Sequence, residues 1–201
     1  QDLTEAKVEV VHASAWITME DHTLAVKSKR DVSMVVGMQM LRRGEADAFV
    51  SMGNSGGVLA SALIGKGRVG RINGVARPAL TAIFPGLEGF SVLLDIGANT
   101  DCKPEWLAQF ALMGSVYSRN VLGVANPKVA LLSNGEEETK GNQMVQDARE
   151  MLQALDLNFV GNVEGKDLPL GLADVIVADG FVGNVAIKTA EGVANMILSL
   201  L

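Results

Sequence analysis

Short apolar runs recur along the chain, and each leads into a polar turn that contains glycine. A run of four or five apolar residues is typical of a buried strand, and glycine and asparagine give the backbone the freedom to turn into a helix. The four runs are 48–52, 91–94, 129–133 and 175–178. Their turns begin at Gly53, Asp95, Asn134 and Asp179, respectively. This repetition of strand, turn and helix predicts an α/β protein.

The remaining apolar periodicity predicts further elements. Helices are indicated over 33–43 with Gly44 as its stop, from the Gly53 turn to about Gly65, from Pro104 onward, over 139–155, and after Asp179. Additional strands are predicted over 8–12, 79–84 and 158–162. In such folds ligands bind beyond the carboxyl ends of the strands. We therefore expect the four polar turns to meet at one edge of the sheet and to form a binding crevice.

Composition narrows the class of protein. The chain has 201 residues, 48% hydrophobic and 20% charged, which suits one folded core and argues against disorder. Its formal charge of -6 lacks the basic footprint of nucleic-acid binders, so we expect no nucleic acid partner. A phosphorylated ligand must therefore be held by local donors. The single cysteine, Cys102, excludes an internal disulfide and fits a reducing compartment.

Both ends of the chain look cut. Gln1 is not an initiator residue, and the chain stops at Leu201 within an apolar helical segment. No uninterrupted apolar run reaches the ~20 residues that span a bilayer. We expect this sequence to be the middle of a longer protein.

Six motifs in series carry a resemblance to a known family. They are GNSG at 53–56, LDIGANTDC at 94–102, QFALMGS at 109–115, GEEETKG at 135–141, GNVEG at 161–165 and DGFVGN at 179–184. In this order and spacing they resemble the PlsX family, the phosphate acyltransferases of bacterial phospholipid synthesis. The likeness covers nearly the whole chain. It departs at Ser55 and Gly57, where threonine and alanine are usual, and at Ser133 and Asn134, where asparagine and an aliphatic residue are usual.

The resemblance implies a fold, a reaction and partners. The fold is a Rossmann-like three-layer α/β/α arrangement with a mostly parallel sheet, as in isocitrate and isopropylmalate dehydrogenases and phosphotransacetylases. Residues 1–201 would form a single domain, incomplete at both ends. The reaction is reversible transfer of a fatty acyl group from acyl carrier protein to inorganic phosphate, without a cofactor. The implied protein is a cytoplasmic homodimer in peripheral contact with the membrane, where a glycerol-phosphate acyltransferase uses the acyl phosphate.

The residues in the turns are compatible with this reaction. Phosphate is already an anionic nucleophile near neutral pH, and a thiolate with a pKa of about 8.5 is a tolerable leaving group. Positioning lowers a barrier by about 7–11 kcal/mol, whereas a general acid or base contributes about 3–5 kcal/mol. A site built from backbone N–H groups, asparagines and a lysine therefore suffices, and no metal site is predicted.

Cations and amides in the turns are the first candidate site residues. Lys140 would hold phosphate or the developing oxyanion, and the alternative is a solvated lysine on the first turn of a helix. Three asparagines are candidates to donate a hydrogen bond to phosphate or to the thioester oxygen. Asn184 is assigned as a catalytic residue, and Asn54 and Asn99 are assigned as phosphate ligands. The alternative for these asparagines is a helix cap or a left-handed turn position.

The remaining candidates are acidic or small, with one further lysine. Asp179 is assigned a catalytic role, in which it would orient Lys140 or Lys188, and Lys188 is also a candidate phosphate ligand. The other candidate phosphate-binding residues are Ser55, Gly56, Asp101 and Glu137. Carboxylates repel phosphate, so capping and turn stabilisation are the alternative for the acidic residues. Cys102 is expected to be a small buried residue, because direct attack by phosphate needs no acyl-enzyme.

Two other functions remain open at this stage. One is a metal- and nicotinamide-dependent decarboxylating dehydrogenase, in which aspartates at strand ends would hold a divalent cation. Residues 65–70 match G-x-G-x-x-G, but they follow a helix instead of a strand, so the dinucleotide interpretation lacks its context. Such dehydrogenases need not use this fingerprint. The other alternative is a non-catalytic module that binds anions or acts as a scaffold.

Overall fold

The computed structural model describes residues 7–21, 25–29, 31–64 and 67–201. The chain forms two compact units, Gln1–Asn73 and Gly74–Leu201. The expected single domain over 1–201 stays a prediction. Within the described residues, no helix is both long enough and apolar enough to cross a membrane.

The described residues of the first unit form three helices. They are α1 (Ala25–Ser28), α2 (Ser33–Arg43) and α3 (Ser55–Leu63). The prediction for α2 is confirmed, and Gly44 ends it with a left-handed φ of 72°. Helix α3 stops at Leu63, close to its predicted end at Gly65. Gly65 and Lys66 lie outside the described residues, and with them the beginning of the glycine motif at 65–70.

Two strands predicted in this unit are wrong. Residues 8–12 and 48–52 belong to no strand, and Val10 and Val50 are 90% and 89% exposed. The strand pairing described within this unit is a single bridge between Ala15 and Val32. An apolar run becomes a strand only when a neighbouring strand takes its hydrogen bonds, and in the described residues neither run has such a neighbour.

The second unit is built on a five-stranded sheet. Its strands are β1 (Thr81–Gly86), β2 (Gly89–Leu94), β3 (Lys128–Leu132), β4 (Asn158–Val163) and β5 (Val175–Val177). Their order is β1-β2-β5-β3-β4, with β1 antiparallel to β2 and the other neighbours parallel. The predicted mostly parallel sheet is confirmed.

Helices cover both faces of this sheet. They are α4 (Pro104–Val121), α5 (Gln143–Gln153) and α6 (Gly180–Leu200), with a 3-10 helix at Gly165–Leu170. In β3, Val129 and Leu131 pack into a core with α4 and α5, whereas Ala130 and Leu132 pack toward α6. Alternate side chains of a strand point to opposite faces, so this pattern gives the three-layer α/β/α arrangement. The fold class is therefore confirmed.

Helix α5 begins later than predicted. The apolar pattern indicated a start at 139, but the first helical residue is Gln143. Gly141 has a φ of 96°, which lies outside the helical region, and Asn142 caps the helix by accepting the Val145 N–H at 3.0 Å. Residues 134–141 are consequently a loop, and Lys140 lies in that loop.

Candidate active site

A crevice opens at the carboxyl ends of the parallel strands in the second unit. A cleft of about 510 Å³ is lined by the ends of β3 and β5 and by the starts of α5 and α6, namely Leu132, Ser133, Asn134, Gly141, Asn142, Val145, Ala178, Asp179 and Val182. A second cleft of about 360 Å³ shares Asn142, Asp179 and Val182 with it and extends to the turn after β2. The turns after β2, β3 and β5 thus lie at one edge, as predicted, whereas the Gly53 turn follows no strand.

The turn after β2 is organised by the carboxylate of Asp95. This side chain is fully buried, and its Oδ1 accepts the N–H groups of Leu80, Gly97 and Ala98 at 3.0, 3.1 and 2.9 Å. Its Oδ2 accepts both the backbone N–H and the amide of Asn99 at 2.8 Å. These bonds occupy both oxygens, so Asp95 holds the turn. It is therefore poorly suited to ligate the divalent cation that the dehydrogenase alternative requires.

Asn99 has its donors committed to the same turn. Its amide donates to Asp95 and to the carbonyl oxygen of Pro78, both at 2.8 Å. An amide carries two N–H donors, so donation to phosphate requires the loss of one of these bonds. The geometry supports the turn-stabilising alternative for this residue.

Helix α6 packs its first turn directly against this turn. A Cβ at Gly180 would lie 2.7–2.9 Å from backbone atoms of Asn99, and a Cβ at Gly183 would lie 1.9 Å from the carbonyl oxygen of Asp95. Only glycine allows so close an approach. The glycines of the DGFVGN motif are therefore explained by packing.

The start of α6 has no free N–H group for a ligand. Gly180 donates to the carbonyl oxygen of Asn99, and Gly183 donates to that of Asp179. Phe181 and Val182 donate to Oδ1 of Asp179, both at 2.9 Å. Asp179, which is 7% exposed, is therefore a helix cap on the wall of the crevice. The helix contributes the positive end of its dipole to the crevice, but no direct donor.

The start of α5 does offer free donors. Val145 donates to its Asn142 cap, whereas the N–H groups of Gln143 and Met144 have no acceptor among the described residues. Asn142 and Val145 line the larger cleft, and Met144 lines the smaller one. Two unsatisfied N–H groups at a helix start attract anions, because the helix dipole adds a partial positive charge there.

Lys140 lies beside these donors in the loop after β3. Its stem packs over Gly135, where an added Cβ would approach its Cγ to 2.5 Å. The side chain is exposed and forms no ion pair with any described residue. The alternative of a solvated lysine on the first turn of a helix is wrong in its position, because α5 starts at Gln143, but the exposed side chain agrees with a solvated lysine. Lys140 thus forms no ion pair with a described residue, and it directly precedes Gly141 and Asn142, which line the cleft.

Two other predicted residues lie farther along α6. Asn184 is exposed and donates to the carbonyl oxygen of Ile96 at 3.0 Å, which ties α6 to the turn after β2. Lys188 forms an ion pair with Glu191 at 2.7 Å. Lys188 lies about 14 Å from Asp179 along the axis of α6, because a helix rises about 1.5 Å per residue. The structure does not bring Lys188 to the crevice, and its predicted pairing with Asp179 has no geometric support.

The remaining predicted site residues are divided between the two units. Asp101 is exposed and lines the smaller cleft, and Glu137 is exposed in the loop that carries Lys140. Asn54 belongs to the first unit, where its Oδ1 accepts the Gly57 N–H at 3.0 Å and caps α3. Ser55 and Gly56 form the first turn of that helix. Phosphate binding by these residues stays a prediction.

Sequence reasoning missed the residues that shape the loop after β3. Asn134 accepts the Gly141 N–H at 2.9 Å and closes the loop at its base. Asn162 donates to the carbonyl oxygen of Glu137 at 3.1 Å. The cap at Asn142 had a recognisable signal, since asparagine before an apolar helical pattern is a preferred N-cap. The contact of Asn162 is long-range and has no local signal.

The described residues contain one cluster of three carboxylates. Ligand atoms of Glu136, Glu164 and Asp167 lie within 4.8 Å of one another. Lys166 bonds to Glu164 and lies 3.2 Å from Glu136, and these bonds raise the pKa of its ammonium well above the ordinary value. Asp167 accepts the Glu164 N–H at 2.8 Å. The charges of these carboxylates are therefore balanced by a lysine and a backbone N–H donor, which does not favour binding of a metal cation.

Cys102 is a poor candidate nucleophile. Burial, with the negative charges of Asp95, Asp179 and Asp101, raises the pKa of its thiol from 9.0 to about 11. The Sγ donates to the carbonyl oxygen of Asn99 at 3.3 Å. The thiol is consequently protonated at neutral pH, which disfavours an acyl-enzyme.

We predict that Cys102 is alkylated slowly and with an unusual pH profile. A rise in pKa from 9.0 to about 11 lowers the thiolate fraction at pH 8 by about 100-fold. The rate of iodoacetamide modification, followed by peptide mass spectrometry, should still increase above pH 10. A cysteine peptide measured in parallel should level off near its ordinary pKa. A Cys102 profile that levels off with the peptide contradicts this prediction.

Known structures share this fold. A phosphotransacetylase from Streptococcus pyogenes superposes with a TM-score of 0.65 at 20% identity, covering 83% of this chain and 56% of that one. The EutD phosphotransacetylase from Staphylococcus aureus gives a TM-score of 0.58 at 20% identity, covering 81% and 56%. At this identity the similarity shows the fold alone.

Sequence relatives identify the family. The phosphate acyltransferase of Dictyoglomus turgidum is 54% identical over 200 residues, which are 98% of this chain and 59% of that protein. The phosphate acyltransferase of Desulfitobacterium hafniense strain Y51 is 48% identical over 198 residues, 98% of this chain and 58% of that protein. The chain thus spans about three fifths of the length of the curated relatives it matches. Because the family model for fatty acid synthesis protein matches residues 1–201, the chain belongs to that family.

Proposed function

We propose that the protein containing this chain is an acyltransferase that moves a fatty acyl group from acyl carrier protein to inorganic phosphate. The observation that carries the proposal is the pair of free N–H groups, of Gln143 and Met144, at the start of α5, a helix start that lines the crevice, with the unpaired Lys140 in the loop just before it. These groups suit an anion that bears several acceptor oxygens. The relatives named phosphate acyltransferase support phosphate as that anion.

The proposed reaction is a direct displacement. A phosphate oxygen attacks the carbonyl carbon of the thioester, a C–O bond forms, and the C–S bond breaks. The proton of hydrogen phosphate passes to the departing thiolate, so the products are acyl phosphate and the free thiol of the carrier. Little acid–base assistance is required, and the gain comes from holding the two reactants together.

In this proposal the residues at the crevice have different roles in the reaction. Lys140 and the start of α5 hold phosphate and stabilise the charge that develops on the thioester oxygen. Asp179 caps the start of α6, and Asn184 ties that helix to the turn after β2, which lines the smaller cleft. Direct contact of Asp179, Asn184 or Asn99 with substrate remains a prediction.

The family resemblance supports further proposals about the whole protein. They comprise one acyltransferase domain that extends beyond residues 1–201, a homodimer, a cytoplasmic location and peripheral contact with the membrane. A glycerol-phosphate acyltransferase at the membrane would use the acyl phosphate. Exposed apolar residues in the second half of α6, including Met196 and Ile197, are surface that the rest of the protein or a second copy would bury.

Product analysis of the full-length protein tests the proposed function. Long-chain acyl carrier protein is incubated with and without inorganic phosphate, released thiol is counted, and acyl phosphate is trapped as a hydroxamate. We expect both products to appear in equal amounts and only with phosphate, and to be unaffected by a chelator. Thiol release without phosphate would indicate a thioesterase or an acyl-enzyme. No release from a folded sample would leave an anion-binding module, and loss of turnover with a chelator would favour metal chemistry.

A further inference from the structure

We propose that Asn162 is a positioning residue that sets the place of Lys140 beside the crevice; this inference rests on the proposed function. Asn162 lies near the end of β4 and is 8% exposed. Its amide donates to the carbonyl oxygen of Glu137 at 3.1 Å, across 25 residues of sequence. This bond links the sheet to the middle of the loop at 134–141.

The same carbonyl oxygen also holds Lys140. The backbone N–H of Lys140 donates to the Glu137 oxygen at 3.0 Å. One acceptor thus receives both the side chain of Asn162 and the main chain of Lys140. The loop is closed at its base by Asn134 and Gly141, and Gln146, Arg149 and Lys166 also bond to its middle, at Thr139, Glu138 and Glu136. Asn162 is the side chain that bonds the carbonyl oxygen to which the Lys140 N–H also donates, and the Lys140 stem lies over Gly135 on the same loop.

The environment of Asn162 indicates why an asparagine stands at this position. Its Oδ1 is buried and has no partner among the described residues. A buried polar atom without a partner is unfavourable, and a purely apolar side chain avoids that cost. An asparagine at this position is therefore better explained by its donor to Glu137. A displacement of about 1 Å in a positioned group is enough to lower turnover about 100-fold.

The test is a double-mutant cycle in the full-length protein. Asn162→Asp keeps the shape of the side chain but replaces its donor by an oxygen that faces the Glu137 carbonyl. We expect kcat/KM for phosphate to fall about 10- to 100-fold. In the Lys140→Ala background the same substitution should lower the residual activity by less than about twofold, because coupled residues are not additive. Asn162→Ser, which removes the amide without adding charge, serves if the aspartate variant does not fold.

A matched control lies on the same strand. Asn158 donates its amide to the carbonyl oxygen of Asn126 at 3.2 Å, at the opposite end of β4. Asn158→Asp should leave kcat/KM unchanged. Equal losses from the Asn162 substitution in both backgrounds would overturn the positioning role, because they would mean a general structural effect. If instead the wild-type protein shows no phosphate-dependent turnover, the proposed function is wrong. If Lys140→Ala turns over at the wild-type rate, the role given to this lysine is wrong.

Discussion

Replacing Lys140 by alanine should lower kcat/KM for phosphate by about 10²–10³-fold, the usual loss when one group that stabilises the oxyanion is removed. The reason is that Lys140 is the cation in the loop after β3 that lies next to the cleft residue Gly141 and has no carboxylate partner among the described residues. Its side chain is exposed, so the free energy of unfolding should change by less than about 0.5 kcal/mol. Steady-state assays and urea denaturation of the same samples measure both quantities.

Two variants sharpen this prediction. Lys140→Arg keeps the positive charge but changes its shape and reach, so it should recover part of the loss. Lys166→Ala removes a lysine that is already paired with Glu136 and Glu164, and turnover should remain at the wild-type level. If Lys166→Ala is as inactive as Lys140→Ala, the loss reflects general electrostatics. Wild-type turnover in Lys140→Ala would remove Lys140 from the mechanism.

Replacing Gly183 by alanine should destabilise the second unit by about 3 kcal/mol, at the upper end of the usual cost of overpacking. The new Cβ would lie 1.9 Å from the carbonyl oxygen of Asp95. The turn has little room to yield, because the carboxylate of Asp95 is bonded to Leu80, Gly97, Ala98 and Asn99. Urea denaturation measures the loss, and activity should fall with it because the start of α6 must move away from the turn.

The same helix provides the control for that substitution. Gly192 is also in α6, but no atom lies within 4 Å of the Cβ that would be added there. Alanine is the better helix former, so Gly192→Ala should raise the free energy of unfolding by about 0.5–1 kcal/mol. Equal stability of Gly183→Ala and the wild type would show that α6 does not approach the turn after β2 as closely as described.

The three central strands of the sheet were predictable because each is buried between two helical layers. The runs at 91–94, 129–133 and 175–178 became β2, β3 and β5, since a strand between two helical layers must be apolar throughout. The run at 48–52 has a similar composition but forms no strand. Strand pairing depends on a neighbouring strand that is distant in sequence, and the composition of the run itself gives no information about that strand.

The candidate site was predictable as a set of turns but not as a set of bonds. Local sequence indicated that the turns containing Asn99, Lys140 and Asp179 follow strands and therefore share an edge. It did not show that both amide donors of Asn99 are already used, or that Lys188 pairs with Glu191. It also missed Asn162, because its bond to the loop arises only when β4 lies beside β3.

A phosphate titration followed by NMR most directly tests whether the start of α5 and Lys140 form the anion site. Inorganic phosphate is added to the ¹⁵N-labelled full-length protein, with sodium chloride at equal ionic strength as the control. We predict saturable shifts of the Gln143 and Met144 amides, which are lost in Lys140→Ala. Saturable shifts confined to other amides, or unchanged titration of Gln143 and Met144 in that variant, would contradict the proposed site.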